Sequence, residues 1–293
     1  MGAVDLVTVG EAFEDLVFLG LARLPRPGEE IKTDRFLQTP GGGAVITAVA
    51  ASRLGTCCRI VSGLGEGAAA LLRHEGVEVH NLRREHEPHA ITAALSTRRD
   101  RSFVTFNGVN DRLEPRFGAA VRREHARHLH FAFYPRDCRR WERAVVAARR
   151  RGISTSWDFG WNEGLVRDPG FPGLVAALDY VFVNELEAPF YARRRSLERA
   201  IDHWREHARN TVIKLGRRGS RWVSPSIDVS APAPAVAVVD TTGAGDAFDG
   251  GFLDALLRGA GPAACLRAGN RVGAASTRAP GGIAGLPARR KRS

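Results

Sequence analysis

Short apolar runs recur along this chain between longer amphipathic stretches, and that rhythm admits few architectures. Leu6–Val9, Arg59–Ser62, His128–Phe133, Ile153–Trp157, Tyr180–Val183 and Thr211–Leu215 have the length and the β-branched or aromatic content of buried strands. Helical patterning covers Gly43–Leu54, Ala68–Glu75, Arg140–Arg151, Ser196–Ala208, Ala247–Leu257 and Ala263–Ser276. A strand can reach a parallel neighbour only through a crossover, so this alternation builds βαβ units with helices on both faces. The expected fold class is α/β: a three-layer, doubly wound, mostly parallel sheet. A length of 293 residues suits one such domain over residues 1–293.

Two stretches break the rhythm. Asp15–Leu37 and Ala90–Asn107 contain short alternating segments, such as Ile91–Ser96 and Ser102–Phe106, joined by the turn-like Arg98-Arg99-Asp100-Arg101. They read as antiparallel strands outside the main sheet, near 15–37 and 90–107, or more simply as edge hairpins. Ala231-Pro232-Ala233-Pro234 reads as an extended spacer, and the apolar run Ala233–Val239 after it as a strand.

Apolar content of 44% and charged content of 26% belong to an ordinary globular chain and exclude a disordered class. The net charge of +11 is scattered, carried almost wholly by arginine, and not interleaved with aromatics. No specific nucleic-acid partner is therefore expected, and Arg289-Arg290-Lys291-Arg292 reads as a solvated end. Cys57, Cys58, Cys138 and Cys265 lack metal-ligand spacing and fit a reducing compartment. No run approaches the ~20 apolar residues of a membrane span, and Val4–Val9 has no leader-like flank. The expected location is cytoplasmic, with no membrane association.

The most chemically pointed segment is Asp240-Thr241-Thr242-Gly243-Ala244-Gly245-Asp246-Ala247-Phe248-Asp249-Gly250-Gly251-Phe252. Small residues at a helix start let backbone N–H groups approach an anion where the peptide dipoles favour negative charge. Asp246 is then placed to accept a hydroxyl proton, so Asp246 with Gly243, Ala244 and Gly245 forms a candidate phosphoryl-transfer site. The plainer reading is a turn capped by Asp246.

This string resembles the second motif of the ribokinase-like (PfkB) carbohydrate kinase family. Gly41-Gly42-Gly43 running through Ile46 to Arg53-Leu54-Gly55 resembles the first. The resemblance spans nearly the whole chain and implies a ribokinase-like fold whose small β-sheet closes over the substrate as a lid. It implies ATP and Mg²⁺ as cofactors, with Glu187 and Asn184, in an Asn-x-x-Glu element, serving the metal and the nucleotide phosphates. Lys214, Gly216 and Gly219 would lie at the nucleotide and Asn270 beside adenine. Asp15, Gly41, Gly42 and Asp246 would meet the substrate. Asp240 and Thr242 resemble residues that hold a monovalent cation, so stimulation by K⁺ is expected. Relatives pair through their lid sheets, which implies a homodimer, although Arg98, Arg99 and Arg101 would guard such an edge against pairing.

The chain also departs from the pattern. Ile46 stands where most relatives carry a sugar-binding asparagine, and no acid occupies Leu129–Pro135. Asp158 is followed by Phe159-Gly160-Trp161-Asn162 instead of the usual proline and asparagine, so no role is carried over to it. Either the substrate is less polar at these edges or other groups take over. The expected function is ATP-dependent phosphorylation of a sugar or sugar-like hydroxyl. A nucleoside kinase, with Ile46, Phe131, Phe133 and Tyr134 forming a more apolar pocket, and a non-catalytic sugar- or nucleotide-binding regulator are the alternatives.

Overall fold

The computed structural model describes residues 2–97 and 101–289. The first half of the chain gives β1 (Val4–Gly10), β2 (Phe13–Leu21), β3 (Arg35–Gly41), α1 (Gly43–Leu54), β4 (Cys58–Ser62), α2 (Glu66–His74), β5 (Glu78–Asn81), β6 (Ile91–Thr97), β7 (Arg101–Phe106), α3 (Leu113–Val121), β8 (Ala126–Ala132) and α4 (Cys138–Arg150). The second half gives β9 (Ser154–Asp158), α5 (Phe171–Ala177), β10 (Tyr180–Asn184), α6 (Glu187–Tyr191), α7 (Leu197–His207), β11 (Thr211–Lys214), β12 (Ser220–Val223), β13 (Asp228–Ala231), α8 (Ala244–Leu257) and α9 (Pro262–Ser276).

The main sheet has the order β13-β12-β11-β10-β9-β8-β1-β4-β5. It is parallel from β5 to β11, and the β12–β13 hairpin adds an antiparallel edge. Alternation along each strand sends neighbouring side chains to opposite faces. Val7, Val9, Leu129, Phe131, Val181 and Val183 thus join one core, while Leu6, Ile60, Phe182 and Val212 join the other. Burial on both faces is the three-layer arrangement that the apolar runs require.

The smaller sheet has the order β3-β2-β6-β7. It is not wholly antiparallel, as the sequence suggests, because β2 pairs with β6 in parallel. Both strands leave the same edge of the main sheet, β2 directly after β1 and β6 after β5, so they point the same way. Residues 98–100, at the β6–β7 turn, lie outside the described residues.

The run Ala233–Val239 is not a strand. Pro232 and Pro234 have no N–H to give a ladder, and Val238 and Val239 are exposed. The segment is tied instead at its end, where the N–H groups of Val239 and Asp240 donate to Thr277 O at 2.7 and 3.0 Å.

Helix α8 is clasped by α1 and α9 through small residues. A methyl group at Gly250 would lie 2.6 Å from Ala50 Cβ and 2.8 Å from Thr47 O. That close approach also lets Thr47 Oγ1 donate to Asp246 O at 3.0 Å. Gly250→Ala is expected to push α1 and α8 apart and lower stability by about 1–3 kcal/mol, read as a reduced midpoint in urea unfolding.

Candidate active site

Helix α8 begins at the carboxyl edge of the main sheet, and Asp246 stands in its first turn. Gly243, the residue before the helix, has φ +69°, a left-handed conformation that glycine adopts without penalty. A side chain there would also strike Ile46 Cδ1 at 2.4 Å. The N–H groups of Gly243 and Gly245 have no protein acceptor among the described residues, which leaves them open to an anion. Ala244 differs from the sequence expectation: its N–H closes a turn onto Thr241 O at 3.2 Å.

The half-buried Asp246 carboxylate faces the start of α1. A methyl group at Gly43 would lie 2.8 Å from Asp246 Oδ1 and 3.0 Å from Ala132 Cβ. Two helix N-termini and the end of β8 therefore meet at this carboxylate. Asp15 stands nearby on β2, and a methyl group at Gly41 would lie 2.0 Å from its Oδ2. Among the described residues nothing donates a hydrogen bond to the Asp15 carboxylate, and burial pushes it up to about 6.

Behind Asp246 lies a buried charge cluster. Lys214 Nζ, at the end of β11, is 2.5 Å from Asp158 Oδ2 and 3.3 Å from Asp249 Oδ2. Oxygens of Asp158, Asp246 and Asp249 lie within 4.8 Å of one another. Burial disfavours charge on all of them, yet Asp158 stays ionised, lowered to about 2 by Lys214 and by a hydrogen bond from Asp249. Asp249 takes the opposite course: burial and the Asp158 charge raise it well above its ordinary value, against the pull of Lys214. Lys214 is held above its ordinary value by these acids despite burial. Asp246 is pushed up to about 7 by burial and by Asp158, against the pull of Lys214. Glu187 is raised by burial and Asp158 in the same way.

Glu187 opens α6 in a reciprocal cap. Asn184 Oδ1 accepts from the N–H groups of Leu186 and Glu187, both at 2.9 Å, and Glu187 Oε2 accepts from Asn184 N–H at 2.8 Å. Asn184 therefore spends its side-chain oxygen on orienting Glu187. Carboxylates crowded at the mouth of a phosphate site, with oxygen donors alone, fit a hydrated Mg²⁺.

A cleft of 260 Å³ opens beside this cluster, lined by Lys214, Gly216, Gly219, Gly245, Phe248 and Asn270. Asn270 commits its amide nitrogen to backbone. Its Nδ2 donates to Ala231 O at 2.9 Å and Pro232 O at 3.2 Å, pinning the chain that forms the cleft wall. Asp240 and Thr242 depart from expectation as well, since Arg101 of β7 reaches both, with Nη1 2.5 Å from Asp240 Oδ1.

A family model described as pfkB family carbohydrate kinase matches residues 4–289. The chain belongs to that family. The kinase is 28% identical to a ribokinase of Bacillus subtilis over 97% of each chain. It is also 28% identical to a nucleoside kinase of Methanothermobacter thermautotrophicus over 92% of this chain and 87% of the relative. Its fold is similar to that of Arabidopsis thaliana ribokinase complexed with ribose and ATP, with a TM-score of 0.79 at 23% identity over 98% and 97% of the two chains.

The kinase thus gathers Asp15, Gly41, Gly42, Gly243, Gly245, Asp246, Glu187 and Lys214 along one sheet edge. Phe131 and Phe133 are elsewhere. They stack in the aromatic core with Trp141 and Trp157, on the face of the sheet away from α8, so they build no apolar acceptor pocket. Ile46 is 3% exposed and packs against Gly243 and Gly282. Asp158 and Asp249 are central although the motifs assign neither a role. Asp249 has a visible signal, an acid three residues after Asp246 and hence on the same helix face.

The raised Asp246 has a stability consequence. Between the ordinary carboxylate range and about pH 7 the folded chain keeps a proton that the unfolded chain has released, so rising pH favours unfolding across that window. Asp246→Asn removes this loss. The variant is expected to melt at a higher temperature than the parent at about pH 8 and to lose that advantage at about pH 4, as read by calorimetry.

Proposed function

We propose that this kinase transfers the γ-phosphoryl group of ATP to a hydroxyl of a sugar or sugar-like polyol, with Asp246 as the general base. The observation that carries this reading is the Asp246 carboxylate set between the N-termini of α1 and α8, beside the open N–H groups of Gly243 and Gly245. Asp15 and the close backbone at Gly41 and Gly42 orient the acceptor. Its oxygen attacks phosphorus, its proton passes to Asp246, the bond from phosphorus to the bridging oxygen breaks, and ADP leaves. The Gly243 and Gly245 N–H groups and the buried Lys214 stabilise charge on the transferring group. Mg²⁺, when bound, neutralises charge on the β- and γ-phosphates. Glu187 would hold its water shell, kept in place by Asn184.

A polyol suits this site better than a nucleoside, because Phe131 and Phe133, two of the aromatic residues that favoured a nucleoside, lie in the core. A non-catalytic binder has no use for a base raised towards neutrality beside open anion-binding groups. Exposed Phe36, Phe103, Val104 and Phe106 sit on the outer strands β3 and β7 of the small sheet and support a homodimer through it. No helix among the described residues is long and apolar enough to cross a membrane. Cys57, Cys138 and Cys265 form no disulfide among the described residues, which supports a reducing, ATP-rich cytoplasm.

ATP consumption over a panel of sugars, sugar acids and nucleosides tests the reading. One polyol or sugar acid is expected to drive Mg²⁺-dependent turnover, and Asp246→Asn to lower it by about 10²–10⁴-fold. Ligand binding without turnover across the panel would instead favour the binder. For the accepted substrate, kcat/KM is expected to fall as pH drops below about 7, because Asp246 must be ionised in the free enzyme; a flat profile counts against Asp246 as base.

A further inference from the structure

Asp240 lies immediately before the phosphate-facing turn and is 4% exposed. A carboxylate buried so deeply needs donors on both oxygens and a compensating positive charge. Its Oδ2 accepts from Gly281 N–H at 2.9 Å, and its Oδ1 from Thr242 N–H at 2.7 Å. The charge comes from Arg101 Nη1, which lies 2.5 Å from Oδ1 and also donates to Thr242 Oγ1. Arg101 is the first residue of β7, so the guanidinium arrives from the small sheet, 139 residues away in sequence from Asp240.

This geometry disagrees with a monovalent cation on Asp240 and Thr242. An ion there needs the lone pairs of the Asp240 carboxylate and the Thr242 hydroxyl, and both oxygens already accept N–H bonds from one guanidinium. Arginine keeps its charge at every accessible pH and presents its donors in a fixed plane, so it fills the role permanently. It also ties two parts of the molecule together. Thr242 directly precedes Gly243, whose N–H faces the anion site, so the position of the small sheet and the shape of that turn are joined by one side chain.

We propose that Arg101 is a positioning residue that takes the place of a monovalent cation at Asp240 and Thr242, fixing the phosphate-binding turn from the small sheet and freeing the kinase from K⁺. The catalytic part of this inference rests on the proposed function; the cation part does not.

The test compares the parent enzyme, Arg101→Ala and Arg101→Lys in KCl and in tetramethylammonium chloride at equal ionic strength, reading melting temperature as well as turnover on the substrate found by the panel. The parent is expected to melt and turn over identically in both salts. Arg101→Ala is expected to melt several degrees lower in tetramethylammonium, to recover in KCl, and to lose about 10–100-fold in kcat with the same salt-specific recovery. Arg101→Lys, which restores a charge without the planar fork, should fall between them. Stimulation of the parent by K⁺ would overturn the proposal. So would an Arg101→Ala variant that melts like the parent in tetramethylammonium, or one whose loss is the same in both salts, which would reduce Arg101 to a structural ion pair. If Arg101→Ala does not fold, salt-specific recovery of Arg101→Lys decides in its place. If no substrate is phosphorylated, the proposed function fails, while the melting comparison still decides whether Arg101 stands in for the cation.

Discussion

The ammonium of Lys214 joins the parts of the carboxyl edge that matter. It stands at the end of β11 and meets Asp158 from the end of β9 and Asp249 from α8, and Asp249 is fully buried. Removing one member of such a cluster strands a buried charge, at a cost of about 3–5 kcal/mol. The contact fixes how far α8 is rotated against the sheet, and Asp246 lies one turn earlier on the same helix. The direction of the Asp246 carboxylate towards Gly43 is therefore set by the ion pairs that Lys214 makes with Asp158 and Asp249. The raised Asp249 is part of the same balance, since two ionised carboxylates facing one lysine would leave the site net negative before ATP arrives.

Much of this was legible in the sequence because the information was local. A glycine-rich turn, a helix start and an acid adjacent to it are set by neighbouring residues, so Gly243, Gly245 and Asp246 are found where the string places them. The alternation of strands and helices likewise survives intact, because burial on two faces demands it. Contacts that depend on the path of the chain were not legible. Arg101 reads as a charged turn residue until the small sheet is folded against the loop before α8. The parallel pairing of β2 with β6 depends on where each strand leaves the main sheet. The absent strand at Ala233–Val239 has a different cause: apolarity is visible there, and the loss of N–H donors at Pro232 and Pro234 outweighs it.

Two amides at motif positions, Asn184 and Asn270, both spend polar atoms on backbone. Asn184 caps the helix that presents Glu187, and Asn270 holds the Ala231–Pro232 carbonyls that shape the cleft wall. Buried backbone groups take the first claim on any polar side chain within reach.

The packing of Ile46 has a consequence for how this family member diverges. Its side chain fills the space that Gly243 and Gly282 leave open, so one apolar side chain sets the seat of the phosphate-binding turn. An amide restored at position 46 would lie against two glycines in an apolar seat, at about 1–3 kcal/mol if left unpartnered. A return to the more common residue therefore asks the seat of the phosphate-binding turn to repack as well.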